Sequence, residues 1–285
     1  MTTQVISFRD PSRSLDLARL RKISSEIRED ILMMLSEAGS GHPGGSLSAV
    51  EVVVSLFFVK MRHDPSDPLW PDRDRFLLSK GHAAPLLYAV LSKCGYFPHE
   101  ELKTLRKIGS RLQGHPDPTK LPGVEIPGGP EGIGLSEGIG MALSSRLDKR
   151  SSRIYVMMGD GEMDEGEVWE AAMCASKFRL ENLTAIIDRN GVQQDGITEQ
   201  IMPIEPLAAK WRAFNWNVLE VDGYDFSSIL AALEKAEKAR NRPTVIVAHT
   251  TKGKGVDFME WQSEYHGKVP EKAVVQKALE QIKRG

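Results

Sequence analysis

A chain of 285 residues is long enough to bury a large core and suits one large α/β domain or two small ones. Its 37 Lys and Arg against 39 Asp and Glu give a net charge of −2, which argues against a dedicated nucleic-acid binder. No apolar run reaches the length of a membrane span, and the start, MTTQVISFRDPSRSLD, has no apolar core and no small-residue cleavage site, so a soluble, cytoplasmic protein without membrane association is expected.

Apolar residues at Leu17, Leu20, Ile23, Ile27, Ile31, Leu32 and Leu35 predict a long amphipathic helix over 15–38, stopped at Gly39-Ser40-Gly41. His42 to Ser48 reads as a loop, with Ser46 or Ser48 able to cap a buried helix over 49–59. A proline- and aspartate-rich loop leads to a short strand at 75–79, then helices over 84–93 and about 100–108. The stretch 109–134 has no regular pattern, and structureless runs of that length inside compact domains are usually functional or disordered; its apolar neighbourhood favours function. A helix over 136–147 precedes strand 154–158, a helix after Glu167 and strand 183–187. A helix at 207–214, a strand at 216–221, a helix at 227–239, a strand at 244–249 and a last helix at about 271–283 complete the order. Strands alternating with helices predict a doubly wound, mainly parallel sheet with helices on both faces, as a single domain over residues 1–285. Cys94 and Cys174 are far apart and make no metal spacing; one bond between them stays open, with reduced thiols favoured.

The centre of the pattern is the βαβ unit from Arg153 to Gly196. Its first strand runs into Gly159-Asp160-Gly161 and its second into Asp188-Arg189-Asn190-Gly191. Parallel neighbouring strands bring both loops to the carboxyl edge of the sheet, where such sheets hold ligands. Asp160 offers a carboxylate, Asn190 an amide oxygen and Val192 a backbone carbonyl, a set that suits Mg²⁺ or another divalent cation carrying a diphosphate. Gly159 and Gly161 let the backbone approach phosphate oxygens, and the helix that follows turns its amino end to the same edge. A bare Gly-Asp-Gly would equally suit an ordinary glycine turn with solvated acids; an asparagine thirty residues on, at the next strand end, tips the balance. The stretch does not match G-x-G-x-x-G, so a nicotinamide-binding reading is weak.

Of seven histidines, His42, His82, His115 and His266 sit in glycine-bordered loops, and His249 closes a strand. Singly, each reads as a surface histidine beside a turn; together they could line a pocket that binds hydroxyls and passes protons. No pair has the spacing of helical metal ligands.

Ser40-Gly41-His42-Pro43-Gly44-Gly45, Ser79-Lys80-Gly81-His82-Ala83, Gly114-His115-Pro116, the Gly-Asp-Gly unit and Tyr265-His266-Gly267 fall in the order seen in the transketolase family. The chain resembles that family's amino-terminal, thiamine diphosphate-binding domain, as the amino-terminal subunit of a split transketolase. The resemblance implies two-carbon ketol transfer from a ketose phosphate to an aldose phosphate, in pentose phosphate chemistry, with thiamine diphosphate as electron sink. Asp160, Asn190 and the Val192 carbonyl would hold Mg²⁺ (or Ca²⁺). Gly129, Glu131, Gly159, Asp160, Gly161, Glu162, Asn190, His82 and His266 would bind the cofactor. His42, His82, His115 and His266 would line the substrate channel, and Glu165 would meet, across the interface, the partner's glutamate on the pyrimidine ring; a solvated acid at a helix start is the alternative for Glu165. The pyrimidine-binding and carboxyl-terminal domains, and the substrate-phosphate arginines, would lie on a partner subunit, two copies of each chain forming a heterotetramer. One loop departs from the family's pattern: Gly129-Pro130-Glu131-Gly132-Ile133-Gly134 carries Glu131 and Ile133 where leucine and glutamine are usual. Other readings are a 2-oxo acid dehydrogenase alpha-type or deoxyxylulose phosphate synthase-like chain, a specialised ketol transferase on an unusual sugar phosphate, and a non-catalytic regulatory subunit.

Overall fold

Five short strands form one wholly parallel sheet: β1 (Arg75–Leu78), β2 (Ile154–Gly159), β3 (Leu183–Arg189), β4 (Asn217–Asp222) and β5 (Thr244–His249), in the order β1-β2-β3-β5-β4. Between and around them run α1 (Leu17–Ala38), α2 (Pro43–Ser48), α3 (Val50–Ser55), α4 (Ala84–Cys94), α5 (Gly134–Leu147), α6 (Gly166–Lys177), α7 (Thr198–Ile201), α8 (Leu207–Ala213), α9 (Phe226–Lys238) and α10 (Lys272–Arg284). The computed structural model describes residues 8–10 and 16–284, so the expected helix start at Leu15 and most of the amino-terminal stretch lie outside the described residues. Among the described residues no helix is long and apolar enough to cross a membrane.

Side-chain alternation along the strands sorts the core into two layers. Phe76, Leu78, Tyr155, Met157, Ile186 and Ile246 pack with α1, α3, α4, α9 and α10. Leu77, Val156, Met158, Ala185, Ile187, Val245 and Val247 pack with α5, α6 and α8 on the other face. Burial on both faces is why these strands are almost continuously apolar. Cys94 is buried in the first layer and Cys174 packs against the second.

Helix ends follow local chemistry. The Asp16 carboxylate accepts from the Arg19 N–H at 2.6 Å and starts α1; Gly39, at φ 65°, ends it with its N–H on the Leu35 carbonyl. The loop expected over 42–48 is instead helical. Pro43 occupies the first turn of α2, where its missing N–H costs nothing. Neither serine caps the next helix: Ser46 donates to the His42 carbonyl, and Ser48 to the Gly45 carbonyl and Asp188. The helix expected over 49–59 is α3 followed by a wider π-type turn over Leu56–Lys60. A 3₁₀ segment, His99–Thr104, stands in place of the helix expected to reach 108. Strands β2 and β3 run one and two residues beyond their expected ends, and α7 is a short helix that the sequence pattern does not announce.

Candidate active site

The register of the sheet builds the site. Gly159 of β2 pairs with Asp188 of β3, so Asp160 and the Arg189-Asn190 step leave the sheet at one level. They open into a cavity of about 330 Å³ at the carboxyl edge. His42, His82, His115, His266, Gly129, Glu131, Gly159, Asp160, Gly161, Glu162, Asn190 and Val192 all line it. Of the residues singled out in the sequence as site residues, only Glu165 is absent from the wall. It is exposed at the start of α6, close enough to the 129–134 loop that a Cβ on Gly132 would stand 2.8 Å from its own.

Beneath the wall lies a buried polar knot centred on Asp188, which is 0 % exposed. The Lys80 ammonium, also fully buried, lies 2.6 Å from it and donates to the Gly45 carbonyl as well. Ser48, Thr250 and the Asn190 amide donate to the same carboxylate. Burial alone would push Asp188 up, but Lys80 and the hydroxyls overcome it and hold the carboxyl low. The knot ties the ends of β1, β3 and β5 to α2, and it fixes the Asn190 side chain with its oxygen toward the Val192 N–H. Sequence reasoning misses Lys80 and Asp188 as site residues. The Ser79-Lys80-Gly81-His82 motif and the Asp188-Arg189-Asn190 run contain the signal, but a lysine with no visible partner in sequence reads as a surface charge.

Asp160 is 2 % exposed. One carboxylate oxygen accepts from the Gly161 N–H; the other accepts from the Gly191 N–H at 2.7 Å, Arg189 and Thr198. Burial and the nearby Asp188 charge push its pKa up, against the pull of Gly191 and Arg189, so a cation here would favour the ionised form. Arg189 is itself held by Glu199 and Glu205. Lys252, 2 % exposed, donates to the Val192 and Gln193 carbonyls and lies 2.8 Å from His266 Nδ1. With Lys80, the side chains of Lys252, Gln193 and Gln194 complete the wall, and they too escape sequence reasoning, which assigns no role to the stretch between β5 and His266.

The four histidines form one cluster. The His42 ring centroid lies 5.5 Å from His82, 5.8 Å from His115 and 5.4 Å from His266; His82 and His266 are 4.8 Å apart. Burial, with neighbouring charges, lowers all four, His42 to about 4, so the cluster is neutral at ordinary pH and can accept and donate hydrogen bonds. His249 stands outside it, exposed beside Glu220. Glu162 is buried, receiving Ser79, the Gly132 N–H and the Gly159 N–H, so it pins the 129–134 loop onto the ends of β1 and β2. Gly81 allows that loop to close: a Cβ there would lie 2.6 Å from Gly128 Cα. Gly81→Ala is therefore expected to lift the loop and lower the activity of this site about 10²-fold, with the far-ultraviolet circular dichroism of the fold retained.

The donor set fits a bound diphosphate. It combines a deeply buried acid, two buried lysines, glycine backbone at the strand end and a buried His42 Nδ1 without a hydrogen-bond partner. Burial lowers Lys252 to about 8, so diphosphate affinity measured by calorimetry is expected to weaken as pH rises through about 8, where the free site loses that positive charge.

A parallel sheet with a buried acid, an asparagine and a histidine cluster at its carboxyl edge is the arrangement that the resemblance to the transketolase family implies. A family profile described as "Transketolase, thiamine diphosphate binding domain" matches residues 20–282. The 6-deoxy-6-sulfo-D-fructose transketolase subunit of Clostridium sp. (strain MSTE9) is 45% identical over 247 residues, spanning 87% of this chain and 90% of the relative. An apulose-4-phosphate transketolase subunit of Phocaeicola vulgatus is 40% identical, spanning 91% and 92%. The solved transketolase of Campylobacter jejuni superposes with a TM-score of 0.89 at 32% identity, over 94% of this chain but 43% of that one. The chain belongs to the transketolase family and carries its thiamine diphosphate binding domain. This favours transketolase over the related cofactor-group readings and over a non-catalytic role.

Proposed function

We propose that this chain is a cytoplasmic protein and the diphosphate-holding half of a two-subunit transketolase, a single domain over residues 1–285 whose site is completed by a partner. The partner would bring the pyrimidine-binding and carboxyl-terminal domains, in an assembly of two plus two. The observation that carries this reading is the level placement of Asp160 and Asn190 in one cavity with four histidines.

Asp160, the Asn190 amide oxygen and the Val192 carbonyl would hold Mg²⁺ (or Ca²⁺), the cation competing with Lys252 for that carbonyl. Among the described residues no cluster of three His, Cys, Asp or Glu could hold a metal, which suits a cation that takes its remaining ligands from phosphate and water. Bound thiamine diphosphate supplies the electron sink for breaking and remaking a carbon–carbon bond. His42, His82, His115 and His266 would bind substrate hydroxyls and move protons, each such role being worth about 10²–10⁴-fold. Glu165, exposed on the rim, would reach the partner's glutamate.

The substrates would be a ketose phosphate and an aldose phosphate. Relatives named for a sulfonated ketose and for apulose-4-phosphate, together with Glu131 in the wall, favour a second reading in which one of them is an unusual sugar. The test is to mix the purified chain with thiamine diphosphate, Mg²⁺ and the partner, and to assay ketol transfer over a donor panel. Activity is expected only with the partner. Robust activity from this chain alone would defeat the divided site, and no Mg²⁺-dependent cofactor binding with the partner present would defeat the catalytic reading.

A further inference from the structure

One contact in the wall is not needed to hold a diphosphate. A Glu131 carboxylate oxygen lies 3.0 Å from His82 Nδ1. An ionised carboxylate only accepts hydrogen bonds, so Nδ1 carries the hydrogen. The hydrogen bond from His82 holds Glu131 below the usual carboxylate range, and burial keeps the His82 ring neutral despite that anion. A neutral ring with hydrogen on Nδ1 has its lone pair on Nε2. Space beside Nε2 depends on Gly45, since a Cβ there would stand 2.9 Å from that nitrogen.

Glu131 is exposed, yet its loop is built to stay in place. The Gly132 N–H donates to buried Glu162 at 2.8 Å, the Gly128 N–H donates to the Pro116 carbonyl at 2.8 Å, and the Gly81 and Gly128 backbones touch. An acid anchored on both sides against one ring is a different object from a solvated loop charge.

We propose that Glu131 is a positioning residue for ketol transfer: it fixes His82 with hydrogen on Nδ1, so that Nε2 meets the substrate as hydrogen-bond acceptor and base. The inference rests on the transketolase reading above. In the step it serves, a substrate O–H bond breaks and its proton bonds to Nε2; the Glu131 carboxylate stabilises the resulting imidazolium, which later returns the proton to substrate oxygen. The other groups facing His82 are the Lys80 and Lys252 ammonium groups, which oppose its charging, and the neutral rings of His42, His115 and His266.

The test uses the full chain labelled with ¹⁵N-histidine and long-range ¹H–¹⁵N spectra. His82 is expected as the Nδ1–H tautomer, converting to Nε2–H in Glu131→Leu. Should that variant not fold, Glu131→Gln keeps an acceptor and loses the charge, and His82 then titrates at lower pH than in the wild type. With the partner added, kcat in either variant falls about 10²-fold while KM holds. An Nε2–H tautomer in the wild type, an Nδ1–H tautomer that persists in Glu131→Leu, an unchanged titration in Glu131→Gln, or a loss confined to KM overturns the proposal. Failure of the wild type to bind thiamine diphosphate would instead overturn the cofactor reading, while the tautomer result stands on its own.

Discussion

Asp160→Ala, assayed with the partner present, is expected to lower ketol transfer by about 10³-fold or more, the scale on which a preorganised electrostatic group counts. The reason lies in what the carboxylate does before any ligand arrives. It collects the Gly161 and Gly191 N–H groups, Thr198 and Arg189, and so sets the approach of the β2 and β3 ends. Removing it leaves the Arg189 guanidinium with Glu199 and Glu205 alone and takes away the one carboxylate in the proposed cation set. Asp160→Asn separates the two effects: it keeps the shape and loses the charge. Calorimetry of Mg²⁺-dependent cofactor binding reads the charge, and thermal unfolding reads the shape. Near-normal cofactor affinity in Asp160→Asn would remove Asp160 from the cation set.

Lys80→Met carries the second large effect, and it falls on stability. Lys80 and Asp188 are both fully buried, and breaking such a pair by removing one partner typically costs about 3–5 kcal/mol, because the remaining charge is stranded. Urea unfolding of the isolated chain measures it. The sign with pH follows from the Asp188 shift: its pKa is below the unfolded value, so the wild type gains stability above the unfolded carboxylate pKa and loses it as pH falls through the folded one. In Lys80→Met that contribution shrinks, and the variant and wild type are expected to converge in stability at acid pH. A constant gap down to full protonation would show that the lysine matters through packing alone.

The fold is legible because the strands alternate with helices and both faces of the sheet are covered, which leaves largely apolar runs at 154–158, 183–187 and 245–248. The site is legible wherever a functional residue stands beside glycine at a strand end, as with Asp160 and His82. What stays hidden has a common physical cause. Lys80, Asp188 and Lys252 draw their meaning from partners as far as 108 residues away in sequence, and a charge cancelled at that distance looks like any solvated one. The helical turn at 43–48 is hidden for another reason: two glycines and a proline read as a loop, and the turn is held by distant groups, its glycines packing against His82, Lys252 and the Tyr265 carbonyl and the Gly45 carbonyl accepting from Lys80. Glu165 is placed by resemblance, and it stands at the rim rather than in the wall.

The Asp188 knot and the 129–134 loop differ in how much of the molecule they hold together. Changing the first disturbs several strand ends at once; changing Glu131 disturbs one ring. A replacement at Glu131 can therefore alter one ring of the cavity while the strand ends beneath it keep their places.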